Sequence, residues 1–157
     1  MDDIRLRVLN MLKARGMTLA AAESCTGGLI ASAFVDMSGA SEVFKAGLVT
    51  YMEEMKVRLL GVKSETLINH TAVSPQTAEE MCVNVSKLCG ADIGVSSTGY
   101  AGPDGGTDTE PVGTVYIGIY IFGSAHIRRL SLRGRRNEVR NKAVEEVFNF
   151  LYELLNK

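Results

Sequence analysis

The chain has 157 residues, enough for one domain with a real core, and its 46% hydrophobic and 22% charged content is that of a soluble globular protein. A net charge of -1 excludes a chain built as a whole to coat nucleic acid or an anionic membrane. The first sixteen residues mix Asp, Arg and Lys into an amphipathic pattern, which is neither a signal peptide nor a membrane span.

Ile4, Val8, Leu9 and Leu12 recur at helical spacing, and Gly16 stops the run. Residues 19–22, small and apolar, predict a buried strand. Glu23, Ser24, Cys25 and Thr26 follow, then Gly27 and Gly28, and then Leu29, Ile30, Ala33 and Phe34 form the apolar stripe of a helix. A strand, a glycine turn and a helix start place free backbone N–H groups beside a hydroxyl and a thiol. Unpaired first-turn amides and the helix dipole suit such a place to a phosphate, or to an oxyanion formed during reaction. An ordinary turn between strand and helix, capped by Ser and Thr, accounts for the same residues.

Residues 36–41 read as a loop and 44–51 as a strand, with Tyr51 at its exit. In the next predicted helix, 52–60, Met52, Met55, Leu59 and Leu60 form one face, and Lys56 lies on it. Burial disfavours an ammonium and turns a lysine into a base. Snorkelling at the edge of the stripe keeps the charge in water, and taken alone this pattern favours snorkelling. Ser64 is a candidate cap for the following helix. Ser74 and Pro75 are the cap and first residue of another, about 76–88, with Ala78, Met81, Cys82, Val85 and Leu88 facing inward.

Gly90 ends that helix and residues 91–97 form a strand. A second glycine-rich loop follows, Thr98-Gly-Tyr-Ala-Gly-Pro-Asp-Gly-Gly-Thr107. Its glycines let backbone N–H groups approach a ligand, and in an open α/β sheet this loop and the Ser24 turn can line one crevice. Its spacing is neither a Walker A motif nor a dinucleotide fingerprint. Asp104, Asp108 and Glu110 lack the order of a calcium loop and read as solvated. Residues 111–122 are the longest strand signal, and 125–132 read as an antiparallel partner across Gly123-Ser124, so the sheet is mixed. In the final helix, from about 137, Val139, Ala143, Val147, Phe150, Leu151 and Leu154 face inward. Arg136 and Arg140 stand one turn apart at its start and are placed to grip a phosphate; Arg128, Arg129, Arg133 and Arg135 read as a solvated basic face. The predicted fold is a single three-layer α/β/α domain over residues 1–157.

Three cysteines, Cys25, Cys82 and Cys89, without a C-x-x-C pair argue against a disulfide framework or a zinc site and for a reducing, cytoplasmic compartment. The candidate nucleophiles are Ser24 and Cys25. The only histidines, His70 and His126, lack an obvious acidic partner, and no G-x-S-x-G elbow is present. A lysine is the other way to activate a serine, which makes Ser24, Lys56 and the backbone amides of Cys25, Thr26 and Gly27 a candidate attacking group, base and oxyanion hole.

Ala22-Glu-Ser-Cys-Thr-Gly-Gly28, Gly47-Leu-Val-Thr-Tyr51, Lys56, Ala72-Val-Ser74, the 98–107 loop, Pro111-Val-Gly-Thr-Val115 and Arg136-Asn-Glu-Val-Arg140 occur in the order seen in one family. Over nearly its whole length the chain resembles the CinA carboxy-terminal domain, the nicotinamide-nucleotide amidase family, in its stand-alone form. The resemblance implies hydrolysis of nicotinamide mononucleotide to nicotinate mononucleotide and ammonia, with neither metal nor other cofactor. It implies Ser24 as nucleophile, Lys56 as base and Tyr51 as an assisting tyrosine. Thr98, Gly99, Gly102, Gly105 and Gly106 fall at substrate-side positions, with Arg136 and Arg140 for the phosphate, and the resemblance implies a homo-oligomer. Two positions depart from the family pattern: Glu53 stands where Asn is usual, and Arg135 where Asp is usual. A carboxylate aimed at Lys56 would stabilise its ammonium, whereas one facing solvent would change nothing. The alternatives are a non-catalytic module that binds a nucleotide phosphate through the same loops, and a nucleic-acid partner of the arginine stretch. The balanced net charge makes the latter the least favoured.

Overall fold

The computed structural model describes residues 3–157, so positions 1 and 2 of the predicted 1–157 domain lie outside the described residues. The first helix, α1 (Ile4–Arg15), is capped by the Asp3 carboxylate, which accepts from the Arg5 N–H, and closed by Gly16. Then come β1 (Leu19–Glu23), α2 (Leu29–Val35), β2 (Phe44–Val49), α3 (Glu53–Leu60), α4 (Ser64–His70), α5 (Pro75–Cys89), β3 (Ile93–Gly99), β4 (Thr114–Ile121), β5 (Ser124–Ser131) and α6 (Arg136–Leu155). A single 3₁₀ turn, Ala40–Glu42, lies in the connection from α2 to β2. Among the described residues no helix is long and apolar enough to cross a membrane.

The strands form one mixed sheet in the order β2-β1-β3-β4-β5. The first three are parallel, while β4 runs antiparallel to both β3 and β5. The central strand β1 is buried throughout, and its residues alternate between two cores as a pleated strand requires. Leu19 and Ala21 join Ile93, Val95, Ile117 and Ile119 under α1, α2 and α6. Ala20 and Ala22 face the other way, against Leu60, Leu67, Met81 and Val85 of α3, α4 and α5. The architecture is thus α/β/α in three layers. Gly94 brings α5 onto the sheet: a Cβ there would overlap the Cys82 carbonyl.

Pairing puts the carboxyl ends of β1, β2, β3 and β5 along one edge of the sheet, with the start of β4 between the last two. Ser24, Thr50, Thr98 and the start of α6 emerge there, which is where open α/β sheets hold ligands.

Four local expectations are corrected. Met52 and Leu59 are 66% and 50% exposed, and the buried residues of α3 are Lys56 and Leu60. The short helix meets its neighbours over one narrow seam, so only residues one turn apart on that seam are covered. Ser64 is the first residue of α4 rather than its cap, which is Lys63 without a side-chain bond. Leu88 sits near the end of α5 and is exposed. The presumed solvated arginines include two that are engaged: Arg128 pairs with Glu153 at 2.6 Å, and Arg129 reaches Glu110, which also accepts from the Tyr116 hydroxyl. In contrast, Ser74 caps α5 by accepting from the Thr77 N–H, and Pro75 opens the helix as its sequence position requires.

Candidate active site

The turn after β1 is held from within. Glu23 is fully buried, and its carboxylate accepts from the Gly28, Ile30 and Ala31 N–H groups at 3.0, 3.1 and 2.8 Å and from the Thr26 hydroxyl at 2.6 Å. These are the orphan first-turn amides of α2, and a carboxylate is the natural partner for them. The expected anion site at this helix start is therefore filled by the chain itself. The Thr26 side chain, fully buried between Glu23 and Ser97, is a brace. Gly27 and Gly28 turn the backbone with φ of 57° and 98°. Arg140 completes the frame: its Nε and Nη2 donate to the carbonyls of Cys25 and Thr26, both at 3.0 Å. It lies behind the turn and does not line the cleft, which corrects its pairing with Arg136 around one phosphate.

On this frame sits Ser24, buried yet lining a cleft of about 560 Å³. Lys56 is 1% exposed, so the snorkelling reading is wrong. Its Nζ lies 3.0 Å from Ser24 Oγ, 2.7 Å from the Thr50 carbonyl and 3.3 Å from the Tyr51 carbonyl. The β2 strand ends at Val49, which frees those two carbonyls to turn toward the lysine. Carbonyl oxygens only accept. A neutral amine that gives its two hydrogens to them has its lone pair left for the Ser24 hydroxyl proton. Burial holds the Lys56 pKa below its ordinary value and outweighs the opposing charge of Glu53. Glu53 is exposed, lines the same cleft and makes no hydrogen bond to Lys56 among the described residues. Cys25, next to the serine, is a poor nucleophile, because burial pushes its thiol up to about 11.

The opposite wall is looser. The Tyr51 side chain is 58% exposed, and its hydroxyl accepts from Arg136 Nη2 at 3.0 Å rather than meeting Ser24 or Lys56. Tyr51 reaches the lysine through its carbonyl only. Arg136 Nη1 donates to the Gly102 carbonyl at 2.7 Å, so this guanidinium spans the cleft mouth between two neutral acceptors. Thr98 is buried and donates to the Ala72 carbonyl at 2.6 Å; it and Gly99 line the cleft. Gly102, Gly105 and Gly106 do not line it; each has positive φ and shapes the 100–113 loop, whose Tyr100, Ala101 and Asp104 do. Glu23 is the residue whose part pattern reading missed, while Asp104, read as solvated, is exposed on the cleft lining. An acid a few residues before a glycine turn and a helix start is a usable signal for Glu23.

An α/β/α domain with a buried serine–lysine pair at the carboxyl edge of its parallel strands is the class that fold and site define. Within that class the chain belongs to the CinA C-terminal domain family, whose model matches residues 1–155. It is 48% identical over 148 residues to the CinA-like protein of Kosmotoga olearia, covering 94% of this chain and 36% of that one, so it spans about a third of that relative's length. It matches the crystal structure of competence damage-inducible protein A from Klebsiella pneumoniae with a TM-score of 0.94 and 38% identity, over 98% of this chain and 95% of that one. It matches the competence-damaged protein (CinA) superfamily protein of Escherichia coli with a TM-score of 0.91 and 33% identity, over 98% and 91%.

Proposed function

We propose that this chain is an amidase that hydrolyses nicotinamide mononucleotide to nicotinate mononucleotide and ammonia through Ser24 and Lys56. One observation carries the reading: a buried lysine Nζ, its pKa lowered by desolvation, stands 3.0 Å from the hydroxyl of a serine that faces a cleft. The two carbonyls beside it orient the lone pair, so the pair works without a histidine.

Neutral Lys56 takes the Ser24 proton as Oγ adds to the carboxamide carbon. The developing oxyanion is received by the backbone N–H groups of Cys25 and Thr26, the turn amides that neither Glu23 nor a carbonyl of the described residues engages. The tetrahedral intermediate collapses, the C–N bond breaks, and the proton on Lys56 leaves with the nitrogen as ammonia. Water then attacks the acyl-serine while Lys56 accepts its proton, and cleavage of the ester returns the Ser24 hydroxyl and releases the carboxylate. Each turnover consumes one water and yields one ammonia and one acid. Arg136, whose charge meets no carboxylate among the described residues, is the cation at the cleft mouth for the phosphate.

The test is a stoichiometric assay of nicotinamide mononucleotide with no added metal, following ammonia and nicotinate mononucleotide together. Equal release is expected, with Ser24→Ala and Lys56→Met each lowering kcat by at least about 10⁴-fold while Ser24→Ala keeps substrate binding. Full activity in Ser24→Ala would sink the mechanism. A folded wild type that binds the nucleotide and yields no product would make the domain a binding module instead.

A further inference from the structure

The floor of the cleft is the serine–lysine pair, but its rim carries more charge than cleavage of an amide needs. Glu53, Glu54, Asp104 and Arg136 all line it. Glu54 is neutralised by Arg58 one helical turn away, at 3.3 Å. Glu53 and Asp104 are exposed and have no ion pair among the described residues. Arg136 is held by the Tyr51 hydroxyl and the Gly102 carbonyl, which leave its charge whole. The open charges are thus two carboxylates and one guanidinium, and Tyr51 and Tyr100 line the same cleft.

That arrangement complements a bipolar ligand, with an anion at Arg136 and a cationic flat ring near the carboxylates and the tyrosines. Glu53 opens α3 one turn before Lys56 and lines the same cleft as Ser24, to which the amide is presented. We infer that Glu53 and Asp104 are specificity-determining residues that select a pyridinium cation over an uncharged ring of the same shape and disfavour the carboxylate product. The inference rests on the amidase reading and names what its site discriminates. Hydrolysis replaces a neutral carboxamide by a carboxylate, so the same two charges that attract the substrate ring repel the group formed on it. The amide is turned over beneath a rim that favours exchange of product for substrate.

The experiment measures binding in the Ser24→Ala protein, where turnover does not intrude. Nicotinamide mononucleotide is compared by calorimetry with its 1,4-dihydro form, which keeps the phosphate, ribose and carboxamide and loses the ring charge by gaining a hydride at C4. The cationic form should bind more tightly, and replacing Glu53 and Asp104 by Gln and Asn should narrow the ratio about three- to tenfold per carboxylate, as expected for charges at a partly solvated rim. Nicotinate mononucleotide should gain affinity in the same variants while the dihydro form changes little. An unchanged ratio in the Glu53→Gln/Asp104→Asn protein would overturn the inference, and so would a dihydro form that binds the Ser24→Ala protein as tightly as the cation does, or a cation that does not bind. Failure of the amidase reading is read separately, as absence of ammonia from the wild type.

Discussion

The two glycine-bearing segments at the carboxyl edge of the sheet look alike in sequence and do opposite things. In the turn after β1, Glu23 takes the helix amides, Thr26 braces Glu23, and Arg140 takes the turn carbonyls. In the loop after β3 the glycines carry positive φ, and the Gly102 carbonyl is tied to Arg136 at the solvent edge. Apart from the Cys25 and Thr26 N–H groups, the first segment is tied down from within, which suits a group that must attack from one position. The second presents a charged, partly open wall, which suits recognition. The difference teaches that a helix N-terminus beside a nucleophile need not be a phosphate site, because a carboxylate from the preceding strand can occupy it first.

The sharpest way to break this comparison is Glu23→Ala. It strips three backbone donors of their acceptor around a fully buried carboxylate and takes one of two partners from the Thr26 hydroxyl; each unmet buried group costs about 1–3 kcal/mol. Partial rearrangement of the turn recovers some of this, so a loss of about 3–5 kcal/mol is expected in denaturant unfolding, together with loss of turnover as Ser24 drifts from Lys56. A variant within 1 kcal/mol of wild type would mean that the carboxylate is not what holds the turn.

The next largest effect separates the two arginines of α6, which sequence spacing alone treats as equivalent. Arg140→Ala removes two bonds to the carbonyls of the rigid turn and should lower stability by about 1–3 kcal/mol while reducing kcat. Arg136→Ala acts at the open wall. It should leave the melting temperature nearly unchanged and raise KM for the phosphorylated substrate about ten- to hundredfold, with little effect on the dephosphorylated riboside. Identical profiles for the two variants would erase the distinction between frame and rim.

Much of the fold was legible because periodicity and caps are local. Leu19–Glu23 reads as a buried strand from its small apolar residues, and Ser74-Pro75 marks the start of α5. Lys56 stood out on its helix, but its burial did not, since that depends on β2 ending one residue before Thr50 and turning two carbonyls toward it. The same limit misplaced Met52 and Leu59, whose apolar character implied a face that no neighbouring element covers. Sequence points to Arg140 for substrate because its side chain suits anions, and to Thr26 for its backbone amide. The Thr26 hydroxyl is taken by Glu23 within the turn itself, whereas the turn carbonyls meet Arg140 only when helix α6 is packed against α2. Chemistry of single residues reads well from sequence, whereas which of two suitable partners takes a group is decided by packing.

The smallest effect concerns the proton on Lys56 and links the two walls. Desolvation lowers its pKa from the ordinary 10.5, while Glu53 and Cys25 act in the opposite direction. In the proposed mechanism Lys56 acts only when neutral, so kcat/KM should fall on the acid side through the lowered pKa and level off above it. Glu53→Gln removes an opposing charge at an exposed position, so the acid limb should move to lower pH by a fraction of a unit, less at high salt. Stability carries the same sign. A lysine with a folded pKa below its unfolded one binds fewer protons when folded, so stability should rise with pH from the folded value up to about 10.5 and then stop rising. Paired pH profiles of kcat/KM for the wild type and Glu53→Gln decide the point. A limb that stays in place would show that Glu53 serves the ring alone and is screened from the base, whereas a shift to higher pH would contradict the assignment of Lys56 as the titrating group.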